Sequence, residues 1–228
     1  MELTKFFELN PNRELLSRNF FKLLWIFVAL SVCGLIGETL QHLVEYGEWE
    51  HRAGLVWGPF SPIYGSAAAF LLLLLEPFLS LPTIVLFAVS AVVGGSVEYL
   101  AHWAMETFWG VVAWSYQDWP LNFDGRTDVA HSILWGVIGV VWLRLGVPVC
   151  DCVFERINVE SISYKVISSC LAVFMVFNIF FTITSLIRAD ERTRDVPPND
   201  VIDTICDTYL TDDYLRSRFN NMGGLGIR

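Results

Sequence analysis

Glu98, His102 and Glu106 recur at intervals of four, so on a helix they form one stripe of two carboxylates and an imidazole. Glu38-x3-His42 and Asp128-x2-His131 repeat the pairing of an acid with a histidine at helical spacing. Pairs of this kind can move protons, receive a cation or ligate a metal, and di-metal helical bundles assemble their centres from such side chains. The chain lacks HExxH, and His42 and His102 suit interfacial positions equally well. A bound metal ion held by Glu98, His102, Glu106, Asp128 and His131 therefore stays one option among several. No other cofactor has a motif.

The elements that must position these groups are apolar helices. The chain has 228 residues, 54% hydrophobic and 17% charged, with mean hydropathy +0.49. Soluble domains carry about 25% charged residues, so this composition marks an integral membrane protein. Apolar runs predict spans over about 20–37 (closed by Glu38), 62–81 (interrupted by Glu76-Pro77), 82–108, 129–147 and 166–187. The expected fold is an all-α integral membrane protein, a bundle of about five transmembrane helices. A polar segment, 1–19, precedes the bundle at 20–187, and an acidic, partly disordered tail, 188–228, follows it. Within that tail, Val201, Ile202, Ile205, Tyr209 and Leu210 suit one short amphipathic helix.

With five spans, the loops after spans one and three share one membrane face. Glu38, His42, Glu98, His102, Glu106, Asp128 and His131 lie toward that face, and Arg52, Tyr64, Asn122, Asp124 and Arg126 lie in the two loops or at their edges. Glu98 sits about 24 Å up its helix, inside the ~30 Å hydrocarbon layer. An intramembrane carboxylate marks a functional position unless it is simply paired. The structural alternative is that Arg52 and Arg126 neutralise carboxylates among Glu38, Glu98 and Glu106.

Two loops stand out. Gly58-Pro59-Phe60-Ser61-Pro62-Ile63-Tyr64-Gly65 breaks the start of the second span, because Gly58, Pro59, Pro62 and Gly65 cannot continue a regular helix from the preceding apolar run. Irregular backbone at membrane depth survives only where protein or a wet cavity satisfies it. The alternative is a tight loop with Pro62 in the first helical turn. Trp114 to Arg126 interleaves aromatics with Asp, Asn and Gly, as in an ordered interfacial loop. Gly34 and Gly37, Ala67 to Ala69, Gly94-Gly95 and Gly136-x-x-Gly139 mark places where helices can approach closely.

The exclusions are firm. A net charge of −9 argues against nucleic acid and leaves no polybasic patch for anionic lipid. GxxxxGK[ST], GxGxxG and GxSxG are all absent, so neither ATP hydrolysis nor lipase chemistry has a motif to rest on. Cys33, Cys150, Cys152, Cys170 and Cys206 lack CxxC spacing and read as free thiols. The first apolar run is too long for a signal peptide and lacks a small-residue cleavage site. Lys5, Arg13, Arg18, Lys22, Arg144, Arg156 and Lys165 outweigh Arg52 and Arg126, which favours a cytoplasmic N-terminus despite Arg188, Arg192 and Arg194 in the near tail.

Over about residues 20–188 the chain resembles the ABC-transporter type IV (permease-like) membrane protein family. The likeness rests on Gly34-Leu35-Ile36-Gly37-Glu38, on His51-Arg52-Ala53-Gly54 leading into Gly58 to Gly65, and on Glu98-Tyr99 and Glu106. It continues through Trp114-Ser115-Tyr116, Asn122-x-x-Gly125-Arg126 and Ser132-x-x-Trp135-Gly136. Two departures are visible: Trp114-Ser115-Tyr116-Gln117 replaces the usual Trp-Asp-Tyr-Ser, and Asn178 stands where members often carry Asp. The resemblance implies transport with a separate ATP-binding subunit, in the plasma membrane of a prokaryotic cell. The segment 150–163 is the expected inner loop on which such a subunit would dock, and a homodimer would supply a second copy of the bundle.

The first functional expectation is thus a permease-like subunit admitting a small cationic solute, because Glu45, Glu48, Glu50, Asp118, Asp124 and Asp128 face only Arg52 and Arg126 in loops one and three. The second is a membrane enzyme or metal protein using the Glu/His cluster. The third is an accessory subunit without a small-molecule site.

Overall fold

The computed structural model describes residues 14–49, 52–110 and 112–219. Lys5, Arg13, Glu50, His51 and the last residues of the tail, Gly223-Gly224 among them, lie outside these. A single 3-10 turn, Leu16–Arg18, leads into α1, Phe20–Tyr46. Asn19 starts α1 by accepting the N–H groups of Phe21 (3.1 Å) and Lys22 (3.2 Å), and Gly47 ends it in the left-handed conformation. The helix outruns the apolar stretch: Glu38 and His42 sit on its face rather than closing it at Gly37. Backbone hydrogen bonds continue wherever the side chains tolerate water, and nothing between Glu38 and Tyr46 breaks them.

α2, Pro62–Leu75, begins at Pro62 and runs into a 3-10 turn, Glu76–Phe78, at Pro77. α3 is Thr83–Trp109. A two-stranded ribbon follows, β1 (Asn122–Phe123) antiparallel to β2 (Thr127–Asp128). α4, Val129–Val141, continues through a π-helical stretch, Trp142–Gly146, into α5, Val147–Glu155. The widened turn precedes Pro148, which lacks the N–H an α-helical ladder would need there. α6 spans Ile162–Thr193, and two short helices close the chain, α7 (Val201–Tyr209) and α8 (Asp212–Arg218).

Four stretches are long and apolar enough to cross a membrane: Phe20–Tyr46, Thr83–Phe108, Val129–Glu155 and Ile162–Thr193. Pro62–Phe78 is shorter, yet it joins the two ends of the bundle. Tyr64 lies beside Trp135 at one end, and Glu76 accepts the N–H groups of Leu16 and Ser17 (2.8 Å each) at the other. The protein is an all-α membrane bundle with four long helices and one short one. The expected docking loop at 150–163 shrinks to residues 156–161, because α5 carries the fourth span on to Glu155. The tail holds a second helix, α8, beyond the one expected.

Close approach explains several glycines. A Cβ on Gly34 would stand 2.2 Å from the Tyr64 ring, and one on Gly94 2.5 Å from Trp135. Gly37, by contrast, meets nothing within 4 Å, so it is no packing glycine here. The buried core runs along the far end, through Leu16, Ile26, Leu72, Leu86 and Leu143.

Candidate functional site

The segment that leads into the Gly-Pro break packs inside the protein, while Trp57, Gly58 and Pro59 reach the surface. Ala53, Leu55 and Val56 are buried, and Gly58 takes φ +73°. Its peptide groups are satisfied by side chains from the last spanning helix. Val56 N–H donates to Thr182 Oγ1 (2.9 Å) and Trp57 N–H to Asn178 Oδ1 (3.1 Å), while Asn178 Nδ2 donates back to Trp57 O (2.8 Å). An Asp at 178 could accept but not donate, so the amide suits this loop. From the other side, Tyr214 on α8 donates to Val56 O (2.7 Å), and Arg218 to the carbonyls of Leu55 and Gly58. The tail is therefore anchored on loop one.

Loop three is equally ordered. Asn122 Nδ2 donates to Trp119 O (2.8 Å) while its Oδ1 accepts Gly125 N–H (2.9 Å). Arg126 pairs with Glu106 (2.8 Å) and Asp124 (3.3 Å), and lies 5.3 Å from the Tyr99 ring centroid. Glu106 raises the Arg126 pKa above its ordinary value. Of the three carboxylates expected near it, Arg126 meets Glu106 alone.

Between these loops lies a cavity of about 500 Å³. Loops one and three share this end of the bundle, as the parity of the spans requires. Glu38 comes from α1, Arg52 from loop one, Tyr64 from α2, Glu98 from α3, Tyr116 from loop three and His131 from α4. Glu38 interacts with Tyr64 and Ser61 and feels the charges of Arg52 and Glu98. Glu98, 6% exposed, accepts from Tyr116 Oη (3.0 Å), Thr127 Oγ1 (2.7 Å) and Trp135 Nε1 (3.3 Å). All three donors are neutral. Burial, and next the Glu98 carboxylate, push the Tyr116 hydroxyl well above its ordinary range, so it remains a donor.

His131 Nδ1 lies 2.6 Å from Asp128 Oδ2, and the other oxygen of Asp128 caps α4 by accepting His131 N–H (2.8 Å). Asp128 is fully buried. The imidazole stacks on Tyr116 (centroids 4.1 Å, planes 23° apart) with Trp119 edge-on at 5.2 Å. With Nδ1 turned to Asp128, Nε2 is the nitrogen left for an occupant.

The structure thus gathers Glu38, Arg52, Tyr64, Glu98 and His131 around one space. It leaves His102, Glu106, Asn122 and Arg126 outside the lining: His102 Nε2 faces Glu106 at 4.0 Å and its ring meets Trp114 edge-on. Among the described residues no three His, Cys, Asp or Glu come together as a metal site, so Glu98, His102, Glu106, Asp128 and His131 do not form one donor set. All five cysteines are free. Thr127, Trp119 and Trp135 join the site without having been expected there; only the quoted Trp135-Gly136 and Trp114-Ser115-Tyr116 motifs pointed toward this wall.

No curated protein and no solved structure matches the chain. One family model does, over residues 25–183, a stretch that contains every lining residue named above. On that match the chain belongs to the family described as "Putative ABC-transporter type IV".

Proposed function

We propose that the chain is a permease-like membrane subunit whose cavity receives a small cationic solute, with ATP binding and hydrolysis supplied by a separate subunit. The observation that carries this reading is Glu98: a buried carboxylate on a spanning helix, lining a cavity of about 500 Å³ and hydrogen-bonded by three neutral donors. Neutral donors orient a carboxylate without cancelling its charge, so the site favours an incoming cation. Among the described lining residues, Glu38, Glu45 and Glu98 face one guanidinium, Arg52. Arg18, Lys22, Arg144, Arg156 and Lys165 sit toward the other end, which suits a cytoplasmic far end and an outward-opening cavity.

The test is thermal unfolding of the purified protein against a panel of alkali, alkaline-earth and organic ammonium cations, beside identification of proteins that co-purify from native membranes. At 100 times its dissociation constant a bound cation should stabilise the wild type by about 2.7 kcal/mol. Glu98→Gln should fold and lose that response. A wild type indifferent to every cation sinks the reading.

One observation supports a second reading, acid–base chemistry in the same cavity: the buried Asp128 oriented on His131. Consumption of a candidate substrate that disappears in His131→Gln would select it.

A further inference from the structure

Narrowing the cation-receiving reading on which it rests, we infer that the cavity is a site for an organic ammonium ion, its charge read by Glu98 and its class by a wall of aromatic rings. Tyr64 and Trp135 stand with centroids 5.3 Å apart on one side, and Tyr116, His131 and Trp119 form a stacked and edge-on group on another. Trp114 also lines the space.

Several rings are anchored by their polar ends. Tyr116 Oη and Trp135 Nε1 donate to Glu98, and Trp114 Nε1 donates to Arg126 O (3.0 Å). Their orientation is settled before any ligand arrives, which lowers the ordering cost of binding. A ring face attracts a diffuse cation through its quadrupole, most strongly where water is displaced.

A bare inorganic ion fits the same walls poorly. Magnesium and calcium need about six to eight oxygens converging at 2.0–2.6 Å. Here each Glu98 oxygen already accepts from protein donors, and no three-ligand group occurs among the described residues. The volume of about 500 Å³ is that of a small-molecule site rather than an ion cage. A quaternary or alkylated ammonium needs no coordination shell: one carboxylate and several ring faces suffice.

The experiment titrates the full-length protein in detergent with choline and tetramethylammonium, reading tryptophan fluorescence and thermal unfolding. Sodium, potassium and magnesium chlorides at matched ionic strength are compared, as is 3,3-dimethylbutanol, the uncharged carbon isostere of choline. Both ammonium ions should saturate, and the isostere should bind at least tenfold more weakly. Trp119→Leu, a change on a loop residue 47% exposed, should leave ligand-free unfolding unchanged and weaken choline about fivefold. Glu98→Gln should abolish the response; if that variant fails to fold, Trp119→Leu and the isostere carry the test alone. Inorganic cations that bind as tightly as choline, with Trp119→Leu without effect, overturn the ammonium assignment and leave a cation site standing. An isostere that matches choline, or no response to any cation, overturns both.

Discussion

Glu76 and Glu98 are both carboxylates buried within the bundle, 3% and 6% exposed, and they are held in opposite ways. Glu76 sits in the turn that ends α2, and each of its oxygens accepts a backbone N–H from the segment before α1. It joins two pieces of chain whose amides would otherwise be stranded. Glu98 is approached by side chains only, from loop three, β2 and α4, and it faces a cavity. A carboxylate locked by amides is part of the chain's hydrogen-bond closure. One held by side chains beside a cavity is left with its charge open to an occupant that approaches from that side.

That contrast can be broken most directly by removing both acids. Glu76→Leu should strand the N–H groups of Leu16 and Ser17 at about 1–3 kcal/mol each, a loss visible in thermal unfolding or in failure to accumulate. Asn178→Leu should come next. It leaves both polar groups of Trp57 without their partner, roughly 2–4 kcal/mol in total, and should expose loop one to hydrogen exchange while α2 stays protected.

Glu98→Gln should cost only about 1 kcal/mol, since the amide oxygen can still accept from Thr127 and Trp135 while the new NH2 donates to a Tyr116 hydroxyl turned to accept it. A destabilisation as large as that of Glu76→Leu would erase the distinction between the two carboxylates. Arg126→Ala should change unfolding little, because Glu106 is 44% exposed and remains solvated without its partner.

The smallest effect concerns the tail. Hydrogen bonds from Arg188 and then Arg192 hold the Asp207 carboxyl below its ordinary value. A group with a lowered folded pKa stabilises the fold above its unfolded value of 3.8 and loses that contribution as pH falls through the folded value. Acidification below about pH 4 should therefore loosen α7 from α6, read as faster proteolysis near residues 195–200. Cleavage rates that stay flat to pH 3 would mean that Asp207 does not hold the tail.

Composition and apolar periodicity determined the class of this fold, its long apolar helices and the side of the bundle on which loops one and three meet. These depend on hydrophobicity summed over many residues and on the parity of the crossings, both of which survive any error in individual contacts. The stripe of Glu98, His102 and Glu106 was equally legible, since spacing by four on a helix is a matter of local geometry. What tertiary structure alone decided was which members of that stripe face inward together with other elements. Glu98 points at Tyr116, Thr127 and Trp135, whereas Glu106 turns to Arg126 and His102 lies beside Trp114. Donors to Glu98 come from residues 18 to 37 positions later in the chain, across a ribbon whose register no local pattern announces. Likewise, Asn178 serves Trp57 across 121 residues, a pairing set by how α6 packs against an irregular loop. Spacing along a chain specifies the face a side chain occupies; the partner across that face depends on helix rotation and crossing, which only the packed bundle sets.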